Sequence, residues 1–161
     1  CSSFSLEGKT FNILKSFPLN EKKIFLSKIL FNLFLTIPVT FLCSIIFFIN
    51  YKVNLIYIIY ILLFSILTPL FSAIFGLFIN LKYPKLKWNN ETEVVKQSTS
   101  TMICTFTGMG LFFLSLFMTI TFIKNINIVI LIQIIILIIV DIVLWLLLSK
   151  FGVKEYRKLN Y

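Results

Sequence analysis

The chain has 161 residues, 59% of them hydrophobic and only 13% charged, with a formal net charge of +9 and no histidine. Soluble domains are about half apolar and about a quarter charged, so a water-soluble globule is excluded. Without His, a zinc centre or a His-based triad lacks its parts, and Cys1, Cys43 and Cys104 form no CxxC pair and suggest no disulfide framework.

Four apolar stretches are predicted to span a membrane: about 29–49, 53–81, 99–123 and 126–149. Each covers a hydrocarbon core of about 30 Å at about 1.5 Å per helical residue. The expected fold is therefore all-α, a polytopic membrane helix bundle of about four transmembrane helices with short cytoplasmic or interfacial helices. Residues 1–23 form a cytoplasmic amphipathic elbow and 24–161 the transmembrane domain, with a loop at 82–98 and a tail at 150–161.

The basic residues sort to one side. Lys9, Lys15, Lys22, Lys23 and Lys28 precede the first span. Lys82, Lys85, Lys87 and Lys96 lie in the 82–98 loop, and Lys150, Lys154, Arg157 and Lys158 lie in the tail. Only Lys52 and Lys124 fall on the other side. The positive-inside rule places both termini and the long loop in the cytoplasm of a bacterial plasma membrane. This pattern accounts for the net charge without a nucleic-acid partner. The first residue is Cys, which suggests either a lipidated mature N-terminus or, preferred here because of the basic flank, a piece of a longer chain.

In chain order, residues 3–17 read as an amphipathic helix lying along the inner membrane surface, with Ser5 as its N-cap, Glu7 in the first turn and Phe4, Phe11 and Leu14 on the greasy side. Pro18 ends it. Asn20 is a candidate cap for the first span, and Lys28 is placed to snorkel to the headgroups. Pro38 should kink that span, with Thr36 and Thr40 near enough to satisfy local backbone. The second span is longer than a bilayer needs, and is either tilted or broken at Pro69. Thr68, Ser72, Gly76 and Asn80 recur every four residues along one of its faces. Such a stripe is a helix–helix seam or the lining of a pathway.

In the loop, Tyr83 and Trp88 are interface anchors, and Asn90 with Glu93 has capping-box spacing. A helix from Glu91 could run unbroken through Ile123. It carries a second polar stripe, with Thr101, Thr105 and Gly108 followed by Ser115 and Thr119. The last span is apolar except for Gln133 and Asp141. An intramembrane carboxylate is costly and faces protein or water. A structural hydrogen bond is the favoured expectation for Asp141, ahead of a proton or cation site.

Two stretches carry a resemblance. One is SLEGKTFNILKSFPLN at residues 5–20, followed by Lys22, Lys23, Ser27 and Lys28. The other is NLKYPKLKWNNETEVVKQS at residues 80–98. They resemble the "LEGK…ILKSLP" and "NLKFPKLDWKNEVEVVKQS" regions of permease (transmembrane) subunits of bacterial ABC exporters, in particular the ABC exporter permeases of Gram-positive bacteria. Phe17 stands where Leu is common. Family members are several hundred residues long, so the chain is expected to be a C-terminal portion.

The resemblance implies a separate ABC ATP-binding subunit as partner, together with the lipid bilayer and a second permease copy or half. It implies docking through 6–15 and 91–97, with Glu7, Lys9, Lys15, Glu91, Glu93 and Lys96 as candidate contacts. It also implies an exported peptide, drug or lipid-like substrate. The spacing of the five glycines supplies no GxxxxGK(S/T) loop. The chain itself is therefore expected to be no enzyme, with ATP hydrolysis in the other subunit and no cofactor or metal. Pathway or packing candidates are Thr68, Ser72, Gly76, Asn80, Thr101, Thr105, Gly108 and Asp141. Two other readings stay open: a non-transport scaffold or immunity protein, and an ion-coupled carrier using Asp141.

Overall fold

The computed structural model describes residues 4–10, 16, 20–51, 54–85, 88, 90, 92, 94, 95 and 98–158. Among them there is no strand, and four helices are long and apolar enough to cross a membrane. These are α1 (Glu21–Tyr51), α2 (Leu55–Lys82), α3 (Thr99–Thr121) and α4 (Ile126–Leu147). A 3-10 helix, Ser5–Thr10, precedes α1. A 3-10 turn, Ile123–Asn125, joins α3 to α4. A π-helical turn, Leu148–Gly152, leads from α4 into the short α5, Val153–Lys158. Helices are the required solution here, because each satisfies its own backbone polar groups where no water is present.

The order is up-down-up-down, and α2 is the hub. It packs against α1, α3 and α4, while α3 and α4 touch each other only sparsely. The apolar surface left outside is large: Phe34, Phe106, Phe117 and Ile120 are each at least 69% exposed. A soluble protein does not carry patches of that extent, whereas lipid covers them at no cost.

The tightly packed core lies at one end of the bundle. Ile24, Phe25 and Ile29 open α1; Ala73, Ile74, Leu77 and Leu81 close α2; Leu148 and Tyr156 follow α4; and Phe4 comes from the N-terminal segment. Phe4, Phe25 and Tyr156 form a triangle of rings with centroids 5.6–5.9 Å apart. Edge-on and tilted ring pairs of this kind add to the area they bury. Arg157 Nε donates to Glu21 Oε1 at 2.7 Å and holds α5 against the start of α1. At Gly152 an added Cβ would meet Leu148 Cδ1 at 2.9 Å, so a larger residue here would have to displace the Leu148 side chain.

Several local expectations change. At the N-terminal segment, Phe4 and Ser5 are fully buried in the bundle end and are not on an exposed amphipathic face. Ser5 sits inside the 3-10 helix and does not cap it. Phe11, Leu14, Lys15, Phe17 and Pro18 lie outside the described residues. Asn20 does cap α1, its Oδ1 accepting from Lys22 N at 3.1 Å. The third span does not run unbroken from Glu91. Ser98 is extended (φ −79°, ψ 143°), and its side chain accepts from Thr101 N, so α3 starts at Thr99 with a side-chain cap.

Both prolines sit inside continuous helices. Pro69 removes the N–H that would bond the carbonyl of Ser65. Thr40 of α1 fills that gap. Its Oγ1 reaches Ser65 O at 3.3 Å as well as its own Ile37 O at 3.0 Å. The single hydroxyl proton is shared with the nearer Ile37 O, so it gives Ser65 O a partial donor and ties α1 to α2. Thr40→Val is expected to cost about 1 kcal/mol with Pro69 present. It should cost close to nothing in Pro69→Ala, where residue 69 regains its N–H. A double-mutant cycle by reversible unfolding in mixed micelles checks this; equal costs in both backgrounds would remove the coupling.

Candidate functional site

Asn80 stands in the last turn of α2, fully buried. Its Oδ1 accepts from Phe4 N and Ser5 N, both at 3.0 Å. Its Nδ2 donates to Ser5 Oγ at 2.9 Å and Ser100 Oγ at 3.1 Å. An amide has two donors and two acceptor lone pairs, and all four are used. Ser5 extends the network: its Oγ accepts from Lys85 N at 3.0 Å and its carbonyl from Trp88 Nε1 at 2.8 Å. Ser98 Oγ lies 3.0 Å from Ser100 Oγ and 3.1 Å from Thr101 Oγ1. This one junction thus joins the N-terminal segment, the end of α2, the following loop and the first turn of α3.

Beside it, the ammonium of Lys28 pairs with Glu7 Oε1 and lies 4.5 Å from the centroid of the Phe4 ring. The Lys28 side chain is only 14% exposed. It therefore turns into the protein, not towards headgroups as expected, because a carboxylate and an aromatic face both await it there. Glu7 is likewise engaged in the bundle's own packing. Of the other docking candidates, Lys9 falls in the 3-10 helix with its side chain undescribed. Lys15, Glu91, Glu93 and Lys96 lie outside the described residues.

The stripe on α2 divides. Gly76 and Asn80 belong to the buried end, whereas Thr68 and Ser72 are exposed and line an open cavity. Thr105 and Gly108 of α3 line the same cavity. Thr101 belongs to the α3 cap. The structure thus brings Thr68, Ser72, Thr105 and Gly108 together and leaves Asn80 and Thr101 in the junction. The cavity measures about 780 Å³ and lies between α2, α3 and α4.

Gln133 was visible in the sequence only as a polar residue in an apolar span. It faces α3: its Oε1 accepts from Ser115 Oγ at 3.2 Å, and its Nε2 donates to Ser115 O at 3.2 Å and Thr119 Oγ1 at 3.3 Å. The polar spacing on α3 was legible, but the pairing with a residue 14–18 positions later was not.

Asp141 is 4% exposed on α4. The structural hydrogen bond expected for it is absent: neither carboxylate oxygen has a hydrogen-bond partner among the described residues. Ile134, Asp141 and Leu148 are buried at steps of seven, which places the carboxylate on the packed face of the helix. Among the described residues no group of three His, Cys, Asp or Glu could hold a metal ion.

The family described as "Membrane protein of 12 TMs" matches residues 1–147. No curated protein and no solved structure matches the chain.

Asn80→Leu keeps the volume and removes all four hydrogen bonds, leaving two buried N–H groups unpaired at about 1–3 kcal/mol each. The N-terminal segment should then detach. Amide exchange at Phe4 and Ser5 should rise about a hundredfold, at about 1.4 kcal/mol per tenfold, while the middles of α2 and α4 stay protected. Unchanged rates would show that Asn80 is not the tether.

Proposed function

Since the chain belongs to this family of twelve-span membrane proteins, we propose that it forms part of the permease of an ATP-driven exporter in a bacterial plasma membrane. In this reading the basic end of the bundle faces the cytoplasm and receives a separate ABC ATP-binding subunit. The observation that carries the reading is the Asn80 junction. It ties the segments bearing both permease-like stretches to α2, the helix on which every other span packs. A displacement imposed on 6–15 or 91–97 would reach α2 through fully satisfied buried hydrogen bonds, which transmit strain in place of yielding. ATP closure would then rock α3 and α4 about that end and alter the cavity between them.

The test is charge reversal on the candidate docking stretch 91–97. Glu91→Lys with Glu93→Lys should insert normally and reduce co-purification of the ATP-binding subunit about tenfold, with a steeper loss at low salt. Full retention of ATPase coupling by that variant would sink the docking assignment.

One observation favours a second reading, an ion-coupled carrier: the buried Asp141 carboxylate has no partner among the described residues. Such a group is expensive in a span and marks ion or proton pathways. If this reading holds, Asp141→Asn in proteoliposomes should lower proton or sodium flux at least tenfold while leaving insertion intact. Flux that requires ATP, or that survives the substitution, would favour the exporter.

A further inference from the structure

The chain has 15 basic residues and 6 acidic ones. Of the acids, Glu7, Glu21 and Glu155 are paired with Lys28, Arg157 and Lys158, and Asp141 is buried in α4. Glu91 and Glu93 lie outside the described residues. Lys22 and Lys23 at the start of α1, and Lys150 and Lys154 after α4, are all exposed and carry no ion pair among the described residues.

The two lysine pairs stand near opposite ends of the chain, and the fold brings them to one place. Arg157 Nε on Glu21 Oε1, at 2.7 Å, sets the last turn of α5 against the first residue of α1. Lys22 and Lys23 directly follow Glu21, and Lys154 precedes Arg157 by three residues, so each lies within one helical turn of that ion pair. Gly152 and Tyr156 are buried. A residue two positions away on a helix points roughly the opposite way, so Lys150 and Lys154 project outward from the bundle.

Their depth selects the partner. Trp145 marks the edge of the hydrocarbon. Lys150 follows it by about 7.5 Å and Lys154 by about 13.5 Å along the helix axis. The headgroup layer outside the hydrocarbon is about 5–8 Å thick on each side. Phe151, between the two lysines, is 53% exposed, and on α1 Leu26 and Leu30, just above Lys22 and Lys23, are 47% and 54% exposed. Bare apolar side chains next to ammonium groups suit the boundary where acyl chains give way to phosphates, because each meets its own solvent there. A soluble acidic protein approaching from water would meet these cations only behind the headgroups, whereas lipid phosphates lie at their level.

We propose that Lys22, Lys23, Lys150 and Lys154 form one binding site for the phosphate headgroup of an anionic phospholipid, in the leaflet at the basic end of the bundle. The site involves neither the 6–15 and 91–97 stretches nor Asp141, so it stands in either functional reading. A lipid seated there bridges the start of α1 and the tail, adding to the Glu21–Arg157 pair.

The intact protein is reconstituted in vesicles of palmitoyl-oleoyl-phosphatidylcholine and palmitoyl-oleoyl-phosphatidylglycerol in equal amounts, so that only the headgroups differ. It is then extracted in mild detergent and weighed by native mass spectrometry. Wild type should retain phosphatidylglycerol over phosphatidylcholine about tenfold. Lys22→Gln with Lys23→Gln, or Lys150→Gln with Lys154→Gln, should each lower that preference several-fold, and the quadruple variant should retain the two lipids equally. Most basic residues on that side remain in the quadruple variant, so its orientation signal persists. Lys124→Gln, exposed at the other end of the bundle, should change nothing.

Spin-labelled phosphatidylglycerol in the vesicles supplies the second measurement. Its protein-immobilised fraction should fall to that of spin-labelled phosphatidylcholine in about 1 M salt, where charges are screened beyond about 3 Å. An excess of inorganic phosphate at matched ionic strength should leave it unchanged. Equal retention of both lipids by wild type, a quadruple variant that keeps the preference, or displacement of the lipid by inorganic phosphate would each overturn the proposal.

Discussion

One side-chain amide holds the basic end of this bundle together. Asn80 is buried where water cannot compensate any bond it fails to make, and it makes all four. A buried amide with even one group unpaired would be a liability. Fully paired, it fixes the relative positions of four chain segments at once. The ring contacts of Phe4 with Phe25 and Tyr156, and its face under the Lys28 ammonium, depend on Phe4 being held at the end of α2. Asn80 does this by binding the Phe4 and Ser5 amides directly.

The same junction explains the looseness of the opposite half. α3 is anchored at its first turn through Ser98, Ser100 and Thr101, and is held again near its far end by Gln133, which bonds Ser115 and Thr119. Between these two points α3 stands off its neighbours, and the cavity lined by α2, α3 and α4 is the space left. α1 and α2 differ because their contact is continuous and is reinforced mid-membrane by Thr40, which answers a carbonyl that Pro69 leaves open. Without water, a freed carbonyl must find a donor in protein. A proline that would break a soluble helix here becomes a point of attachment between two.

The spans themselves were legible because hydrocarbon thickness and backbone hydrogen bonding leave so few solutions. The stripe Thr68, Ser72, Gly76, Asn80 was legible as a face, since a step of four returns to the same side of a helix. Its division into a core half and a cavity half was not, because periodicity names the face and leaves the neighbour unnamed. Ser5 shows the same limit. Serine before an acidic first turn is a sound capping signal, yet its hydroxyl is taken by Asn80 and Lys85, residues 75 and 80 positions away. Ser98 was visible as a polar residue, but continuous helical pattern across 91–123 concealed the break its own side chain makes.

Gln133 and Asp141 show how far the chemistry of α4 can be separated from its packing. Both are polar residues in an apolar helix, and composition treats them alike. Gln133 meets complementary groups on α3, accepting one hydrogen bond and donating two, which makes it adhesive between two spans. Asp141 lies eight residues further, on the face buried with Ile134 and Leu148, and meets none among the described residues. Packing alone would favour a leucine there, since an apolar side chain of similar size would carry no desolvation penalty. A carboxylate retained at that depth therefore has to be accounted for by something other than the stability of these four helices: a cation, a proton, or a donor from a span beyond them.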